Sequence, residues 1–341
     1  MDDRVKLAAI CGLSLAAALM PLSVNAASRN ACDSYTPALV GGPLQPKTSD
    51  IAVLRWLGNA NYELNYRGKV YLFDAYFDRT SRNHPIGFTV PEIKRADYVF
   101  VSHAHFDHMS DVVPVAKQTH AKIVGAPITI ETAIKLGLPP EQAITVKGGE
   151  TLDLGDVTAD IALARHSTIQ PGLTDTLAAL YKVDTRANTP EEDAHTKEVM
   201  ARGTFAPEVI DKGTLAFALT LRDSVKIVTI GSAGPITDGD RELAKKLGRV
   251  DIAIIAYQPH PVAEHQVADT MPLVRLFNPK LFLPAHHDAA FGTWLDLGLE
   301  PLFTVLRDEM KGTKFLAPLY RSPICIATTG AKRGQVVKFQ Y

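Results

Sequence analysis

Three histidines and one aspartate lie close together in this chain. Residues 103–108 have the sequence HAHFDH, in a chain that holds 11 histidines among 341 residues. Such clustering is improbable by chance, and imidazole with carboxylate is the ligand set that borderline divalent metals prefer. The segment therefore predicts a metal site.

The cluster directly follows an apolar, strand-like run at residues 98–101. Because side chains alternate along a strand, His103 and His105 are expected to point to the same side. The turn that follows can direct Asp107 and His108 toward a neighbouring point. One loop can thus supply ligands to two adjacent metal sites.

Short apolar runs separated by turn residues predict the elements that must position this loop. Predicted strands cover 53–57, 62–66, 69–73, 98–101, 122–124, 144–146, 157–164, 214–221, 226–230, 251–256 and 281–283, and predicted helices cover 111–117, 128–136, 241–247 and 267–277. The strands fall into two groups with helices after each. This order predicts an α/β fold in which two sheets pack face to face with helices outside.

Residues 168–213 interrupt this alternation of strands and helices. They hold an apolar patch at 177–181 and a polar run at 188–193. Long irregular insertions often carry function. We therefore predict a lid or a substrate-contacting loop, with a simple surface excursion as the alternative.

The first 26 residues resemble a secretory signal peptide. Arg4 and Lys6 precede an apolar stretch at about 7–22 that is too short to span a bilayer, and small residues follow it. We predict cleavage near Ala26, an N-terminal extension over 27–50 and one main domain over 51–341; an uncleaved anchor is the alternative. The protein is then expected in the periplasm or secreted, without stable membrane insertion.

Composition and cysteine content fit an exported globular enzyme. The chain is 46% hydrophobic and 21% charged, and its net charge of −1 argues against nucleic acid as the main partner and leaves a small-molecule substrate. Cys32 and Cys325 would both remain after cleavage. They are candidates for a disulfide in an oxidising compartment, with two buried free thiols as the alternative.

The motif at 103–108 resembles the H-x-H-x-D-H signature of the metallo-beta-lactamase superfamily. The resemblance runs from about residue 51 to about 291. Within the superfamily, the chain is most similar to the branch of metal-dependent hydrolases that includes L-ascorbate-6-phosphate lactonase and the N-acyl-phosphatidylethanolamine phospholipase D group. The sequence WLGNAN at 56–61 fits the first strand of that branch, although the family often has histidine where Asn59 stands. Asp74 matches an acidic residue that supports the ligands. The resemblance implies a four-layer αββα sandwich.

The resemblance also implies ligands from distant parts of the chain. His166 matches the next family ligand, and His286, which closes a strand as P-x-H, matches the last, whereas His287 would face the other way. The implied site one is His103, His105 and His166, and the implied site two is Asp107, His108 and His286. Three imidazoles with an open fourth position are typical of a catalytic zinc site.

One family feature is missing. Members with two metals carry a bridging aspartate in G-D-T, and this chain has Gly231-Ser232-Ala233. Because bridging anions offset the repulsion between two dications, we predict one or two zinc ions, the second weak or absent. A substitute carboxylate, from Asp238, Asp240 or Asp288, and an inactive relic are the alternatives, as are iron or manganese in place of zinc.

These features predict an exported hydrolase in which metal-bound hydroxide attacks an ester, a lactone or a phosphodiester. Asp107 is expected to orient the attacking water or to accept its proton, besides serving as a ligand. Tyr257 and His260 follow a strand where the family places substrate-facing residues, and are predicted substrate contacts. The alternatives are a metal- or ligand-binding module without turnover and a single-iron redox enzyme of the same fold.

Overall fold

The computed structural model describes residues 30–81, 83–167, 188–222, 225–257, 263–288 and 298–339. The predicted signal peptide therefore lies outside the described residues. Within these ranges, no helix combines the length and the apolar character that crossing a bilayer requires.

The first sheet is built from both ends of the main domain. Its strands are β1 (Ile51–Trp56), β2 (Tyr62–Tyr66), β3 (Lys69–Phe73), β4 (Tyr98–Phe100), β5 (Lys122–Gly125), β6 (Ala143–Thr145), β14 (Ile324–Ala327) and β15 (Val336–Phe339). They lie in the order β15-β14-β1-β2-β3-β4-β5-β6. The pairs from β15 to β3 are antiparallel, and those from β3 to β6 are parallel.

The second sheet comes from the middle of the chain. Its strands are β7 (Thr151–Asp153), β8 (Val157–Leu163), β9 (Leu215–Leu221), β10 (Val225–Ile230), β11 (Ile252–Ala256), β12 (Leu281–Ala285) and β13 (Lys314–Phe315). They lie in the order β13-β12-β11-β10-β9-β8-β7. Because β8 and β10 both run antiparallel to β9, and β10 to β12 are mutually parallel, strands β8, β10, β11 and β12 end at one edge of the sheet.

Helices cover the outer face of each sheet. They are α1 (Phe106–Met109), α2 (Val112–Thr119), α3 (Pro127–Lys135), α4 (Pro190–Met200), α5 (Glu208–Asp211), α6 (Asp238–Leu247), α7 (Ala263–Phe277) and α8 (Glu300–Glu309). Helices α1 to α3 pack on the first sheet, and α6 to α8 pack on the second. The predicted αββα sandwich is confirmed.

The alternation of side chains along β3 shows how the sequence builds these layers. Tyr71 and Phe73 lie in the core between the sheets, whereas Val70 and Leu72 pack under the helices. A strand that is buried on both faces reads as a continuous apolar run. This is why these strands were readable from sequence.

A disulfide joins the two ends of the described chain. Cys32 and Cys325 are bonded across 293 residues of sequence, so the disulfide prediction is confirmed over the alternative of free thiols. A buried ion pair between Arg55 and Glu63, 2.9 Å apart, supports the same region because Glu63 also accepts the backbone N–H groups of Ala38 and Leu39. Residues from the N-terminal extension thus pack directly on β1 and β2.

Candidate metal centre

The predicted ligands lie in loops that follow strand ends. Strand β4 ends three residues before His103, β8 ends three residues before His166, and β12 ends directly before His286. Because these three strand ends lie at the same edge of the sandwich, side chains from distant parts of the chain meet there.

His103, His105 and His166 form the first group. One ligand atom from each lies within 4.8 Å of the other two. Nε2 of His103 and Nδ1 of His105 are 3.2 Å apart, close to the roughly 3.3 Å that separates two nitrogens bound to one tetrahedral zinc ion. Nδ1 of His166 bonds to the carbonyl of Ser167 at 2.7 Å, which leaves its Nε2 available.

Asp107, His108 and His286 form the second group, again with ligand atoms within 4.8 Å of one another. Oδ2 of Asp107 lies 3.1 Å from Nε2 of His286 and 3.6 Å from Nε2 of His108. The rings of His103 and His108 are 3.8 Å apart, so the two groups are adjacent. The structure thus brings together all six residues that the sequence singled out, in the two predicted sets, and their role as ligands remains a prediction.

Asp74 and Ser102 hold the two groups in position from behind. Oδ2 of Asp74 lies 2.8 Å from Nδ1 of His108 and accepts the hydroxyl of Ser102 at 2.9 Å, and Oδ1 accepts the Ser102 N–H at 2.7 Å. Oγ of Ser102 also lies 3.1 Å from Nδ1 of His103. With these Nδ1 atoms engaged, Nε2 of each ring is directed away from Asp74 and is free to bind an ion.

Replacing Asp74 with alanine is expected to weaken binding of the firmly held ion by roughly 10-fold to 100-fold. The reason is that Ser102, whose Oγ lies 3.1 Å from Nδ1 of His103, loses the carboxylate that accepts its hydroxyl, and His108 loses the partner of its Nδ1. Chelator competition on the metal-loaded protein measures this. The matched control is Asp97→Ala. Asp97 also accepts a backbone N–H, that of Val70 at 2.8 Å, but it precedes β4, at the opposite end of that strand from the histidines. Equal losses in the two variants would contradict a specific role for Asp74.

The electrostatics keep most of these imidazoles neutral. Burial, reinforced by neighbouring imidazoles, lowers the pKa of His105 to about 3 and that of His103 well below its usual value. Burial also lowers the pKa of His166 to about 4. Burial alone would lower the pKa of His108 too, but Asp107 and Asp74 raise it. Neutral imidazole is the form that metal binding requires.

Asn59, in the loop between β1 and β2, connects this loop to the second group. Its backbone carbonyl accepts the His286 N–H at 2.8 Å, its N–H donates to Oδ1 of Asp288 at 2.8 Å, and its side-chain amide donates to the carbonyl of Asp107. Asn59 and His286 both adopt left-handed backbone conformations, with φ of 49° and 61°. Residues other than glycine that adopt this conformation tend to cluster at functional sites.

The substitute bridging carboxylates that the sequence suggested are engaged elsewhere. Asp288 pairs with Arg79 at 2.9 Å and accepts the hydroxyl of Tyr320. Asp240 caps α6 by accepting from Thr237, and the Asp238 side chain is fully exposed. These contacts argue against the alternative that one of these carboxylates replaces the missing bridge, which stays a prediction.

Ser232 is fully buried and lies behind the first group. Its hydroxyl accepts the N–H of Ser167, next to His166, at 3.1 Å. The adjacent Gly231 is packed so closely that a Cβ there would lie 2.4 Å from Oγ of Ser102. The segment therefore packs on the residues beside His103 and His166 and carries a neutral side chain at Ser232. Its match to the family's bridging position remains a prediction.

The described part of the 168–213 insertion packs on the loop that carries residues 103–108. Helix α4 begins with a capping box formed by Thr189 and Glu192. Arg202, beyond its end, pairs with Asp78 at 2.8 Å, and the N–H of Thr204 donates to the carbonyl of Ala104 at 2.8 Å. The insertion is thus adjacent to the site, and its role as a lid remains a prediction.

Only one of the two predicted substrate contacts lies among the described residues. His260 lies outside the described residues. Tyr257 is fully buried in the core between the second sheet and its helices, and its hydroxyl has no partner among the described residues. His287 stacks on Trp56, with ring centres 4.4 Å apart, so it faces away from the two groups, as expected.

Sequence reasoning missed Ser102 and Arg79. Ser102 was detectable as a small polar residue between an apolar strand and the histidines. The partnership of Arg79 with Asp288 spans 209 residues, and no local pattern indicates it.

Comparison with known proteins agrees with this geometry. Residues 69–287 match the family model described as "Beta-lactamase superfamily domain". A UPF0173 metal-dependent hydrolase of Anaeromyxobacter dehalogenans is 24% identical over 261 residues, which are 75% of this chain and 80% of the relative. One from Pyrobaculum neutrophilum is 33% identical over 107 residues, 30% of this chain, and the match spans only 45% of that relative.

A solved structure shares the architecture. The metallo hydrolase Igni18 from Ignicoccus hospitalis superposes with a TM-score of 0.56 at 12% identity, covering 81% of this chain and 98% of that one. This likeness concerns the fold. Because the family model covers well over half of the sequence and includes all six clustered residues, the chain belongs to the beta-lactamase superfamily domain family.

Proposed function

We propose that this protein is an exported metal-dependent hydrolase that cleaves a small ester, lactone or phosphodiester. The observation that carries the proposal is the pair of adjacent groups, each with three ligand atoms within 4.8 Å of one another. The naming of its relatives as metal-dependent hydrolases supports it. The more specific lactonase-like or phospholipase-like branch is part of this proposal.

The residues fit a divalent ion. In the first group, three imidazoles converge with no cation or carboxylate among them, and the pKa shifts keep them neutral. In the second group, Nδ1 of His286 is buried without a hydrogen-bond partner among the described residues while Nε2 faces Asp107. When bound, a zinc-type ion lowers the pKa of a coordinated water to about 7 and polarises the scissile group.

Asp107 is the residue best placed to orient the attacking water. Its side chain is 21% exposed, whereas that of His286 is 8% exposed and that of His108 is 1% exposed. Although burial raises the pKa of Asp107, His108 and His286 lower it well below its usual range. A carboxylate with so low a pKa is a weak base, so we favour orientation of the water over proton storage.

We propose one firmly held ion and a weak or absent second one. Two dications about 3.5 Å apart repel by roughly 20 kcal/mol at an effective dielectric constant of about 20. The buried hydroxyl of Ser232 provides no charge to offset this repulsion, and the nearby carboxylate of Asp288 is committed to Arg79. Zinc is the proposed ion; elemental analysis after growth without metal supplementation distinguishes it from iron or manganese.

Activity measurements on purified, metal-loaded protein test the proposal. We expect turnover of at least one class in a panel of p-nitrophenyl esters, lactones, phosphodiesters and a chromogenic beta-lactam, and loss of that turnover with EDTA. Tight metal binding with no turnover of any of these compounds would favour the binding module instead.

Export is proposed from the N-terminal sequence and is supported by the disulfide. Disulfides persist in oxidising compartments, and Cys32 bonds to Cys325. Fractionation of the producing cells with N-terminal sequencing should find a periplasmic or secreted protein that begins near Ala27. A cytoplasmic protein that retains residues 1–26 would contradict export without affecting the catalytic proposal.

The metal-free protein should become more stable as pH rises from about 4.5 to 6.5. In the folded state, the pKa of His105 is about 3 and that of His166 about 4, while in the unfolded chain both lie near 6.5. The unfolded state therefore binds more protons in this window, and the free energy of unfolding rises with pH. With EDTA present, we expect Tm to rise by roughly 10 °C.

Burial raises the pKa of Asp111 to about 6, which makes the free energy of unfolding fall as pH rises through the same window. The comparison with a variant is therefore decisive. Because His105→Asn removes one of the shifted imidazoles, its Tm should depend less steeply on pH in the same window. Identical slopes for the two metal-free proteins would show that the pKa of His105 is not lowered.

A further inference from the structure

Two exposed apolar residues lie beside two histidines of the first group. Phe205 is 53% exposed, and its ring centre lies 4.8 Å from that of His105. Ile210 is 37% exposed, and its backbone carbonyl accepts the N–H of His166 at 3.3 Å. We call these two residues the apolar rim. Single exposed apolar residues are common, but these two flank a candidate metal centre.

The backbone that carries Phe205 is fixed against the metal-binding loop. Thr204 donates its N–H to the carbonyl of Ala104 at 2.8 Å. Gly203 lies so near the loop that a Cβ there would be 2.4 Å from the backbone nitrogen of Phe106. The Phe205 ring also contacts the ring of Phe106, with centres 5.9 Å apart. The exposed face of Phe205 is therefore held in place.

Geometry puts the rim within reach of a bound substrate. An ion bound to an imidazole nitrogen lies about 3.2 Å from the ring centre, because the bond of about 2.0 Å adds to the ring radius. The Phe205 ring centre lies 4.8 Å from that of His105, so it is at most about 8 Å from such an ion. A chain attached to the reacting carbonyl group can cover this distance.

Three arginines near this site are already paired with carboxylates. Arg165 pairs with Asp211 at 2.6 Å, and Arg202 pairs with Asp78 at 2.8 Å. The buried Arg79 pairs with Asp288 at 2.9 Å. These three arginines are therefore poorly placed to bind a phosphate or carboxylate on the substrate, and apolar contact is the recognition that the rim offers.

We propose that the apolar rim is a substrate subsite that binds the apolar acyl chain of a neutral ester or lactone. This inference rests on the proposed hydrolase function and narrows it, because it favours acyl substrates over phosphodiesters. Contact with Phe205 and Ile210 removes apolar surface from water, and each methylene buried contributes to binding.

Binding of a chain-length series tests the subsite without requiring turnover. The probes are acetohydroxamate, butanohydroxamate, hexanohydroxamate and octanohydroxamate, which chelate a metal through one head group and differ only in their chains. Titration calorimetry with the zinc-loaded full-length protein should show Kd falling by roughly twofold to fourfold per added methylene. In Phe205→Ala this dependence should drop below about 1.5-fold per methylene, and Phe205→Leu should be intermediate.

The control is Val337→Ala, which shortens another exposed apolar side chain, 43% exposed on the edge strand β15. It should keep the wild-type dependence on chain length. Truncating side chains this exposed should leave the fold intact, and unchanged zinc content verifies this.

Four results would overturn the inference. Equal affinity of wild type for all four hydroxamates, or an unchanged dependence in Phe205→Ala, would refute the subsite while leaving the metal centre intact. Failure of acetohydroxamate itself to bind would refute the open metal site and the subsite together. Binding of phosphatidylcholine vesicles that Phe205→Ala abolishes, with hydroxamate affinities unchanged, would assign the rim to a lipid surface.

Discussion

Replacing His105 with asparagine is expected to reduce kcat/KM on the best substrate of the panel by more than about 1,000-fold. His105 is one of only three imidazoles in the first group, and its Nδ1 lies 3.2 Å from Nε2 of His103. An amide oxygen is a much poorer ligand than imidazole for a zinc-type ion. The variant should therefore also purify with little tightly bound metal.

His120→Asn is the matched control for this substitution. His120 ends α2 in a left-handed conformation, with φ of 62°, which asparagine also tolerates. This variant should keep wild-type activity and metal content. If His105→Asn retained more than a tenth of the activity with its zinc still bound, the first group would not be the catalytic centre.

Replacing Ser232 with aspartate is expected to tighten binding of a second ion by roughly 100-fold, because a carboxylate between two dications offsets their repulsion. The substitution restores the charge that the family's bridging position carries. Elemental analysis after dialysis should give about one ion per wild-type chain and about two per Ser232→Asp chain. Calorimetric titration with zinc then measures both affinities.

Ser232→Asn provides the control because asparagine has the shape of aspartate without its charge. This variant should remain at one ion per chain. An unchanged metal content in Ser232→Asp, or two tightly bound ions in the wild type, would refute the account of the missing bridge.

The local part of the site could be predicted from sequence because strand geometry determines it. His103 and His105 share one side of an extended segment, and α1 turns Asp107 and His108 toward the second group. His166 and His286 required the family resemblance, because a single histidine after a strand carries little information. The structure brings both to the predicted groups.

Apart from the disulfide, long-range partnerships could not be predicted from the residue pattern. Asp288 is one of the substitute bridging carboxylates that the sequence suggests, but the buried charge of Arg79, 209 residues earlier, binds it. Likewise, β14 was not predicted, although its pairing with β1 aligns Cys325 with Val53, beside Cys32. The predicted disulfide already required Cys325 to lie close to Cys32.

Helix α4 was not predicted, although the sequence carries a local signal for its start. Residues 188–193 were interpreted as a polar run, whereas α4 begins at Pro190 with Thr189 and Glu192 forming a capping box. A threonine followed by proline and, three residues on, by glutamate is a strong helix start. The polar character of this helix reflects its exposed surface.

Anomalous diffraction from crystals of the zinc-loaded protein, recorded on both sides of the zinc absorption edge, tests the central claim most directly. The account predicts a strong zinc peak within about 2.0–2.2 Å of Nε2 of His103, Nδ1 of His105 and Nε2 of His166, and a weaker or absent peak between Asp107, His108 and His286. Zinc bound elsewhere, with none between His103, His105 and His166, would contradict it.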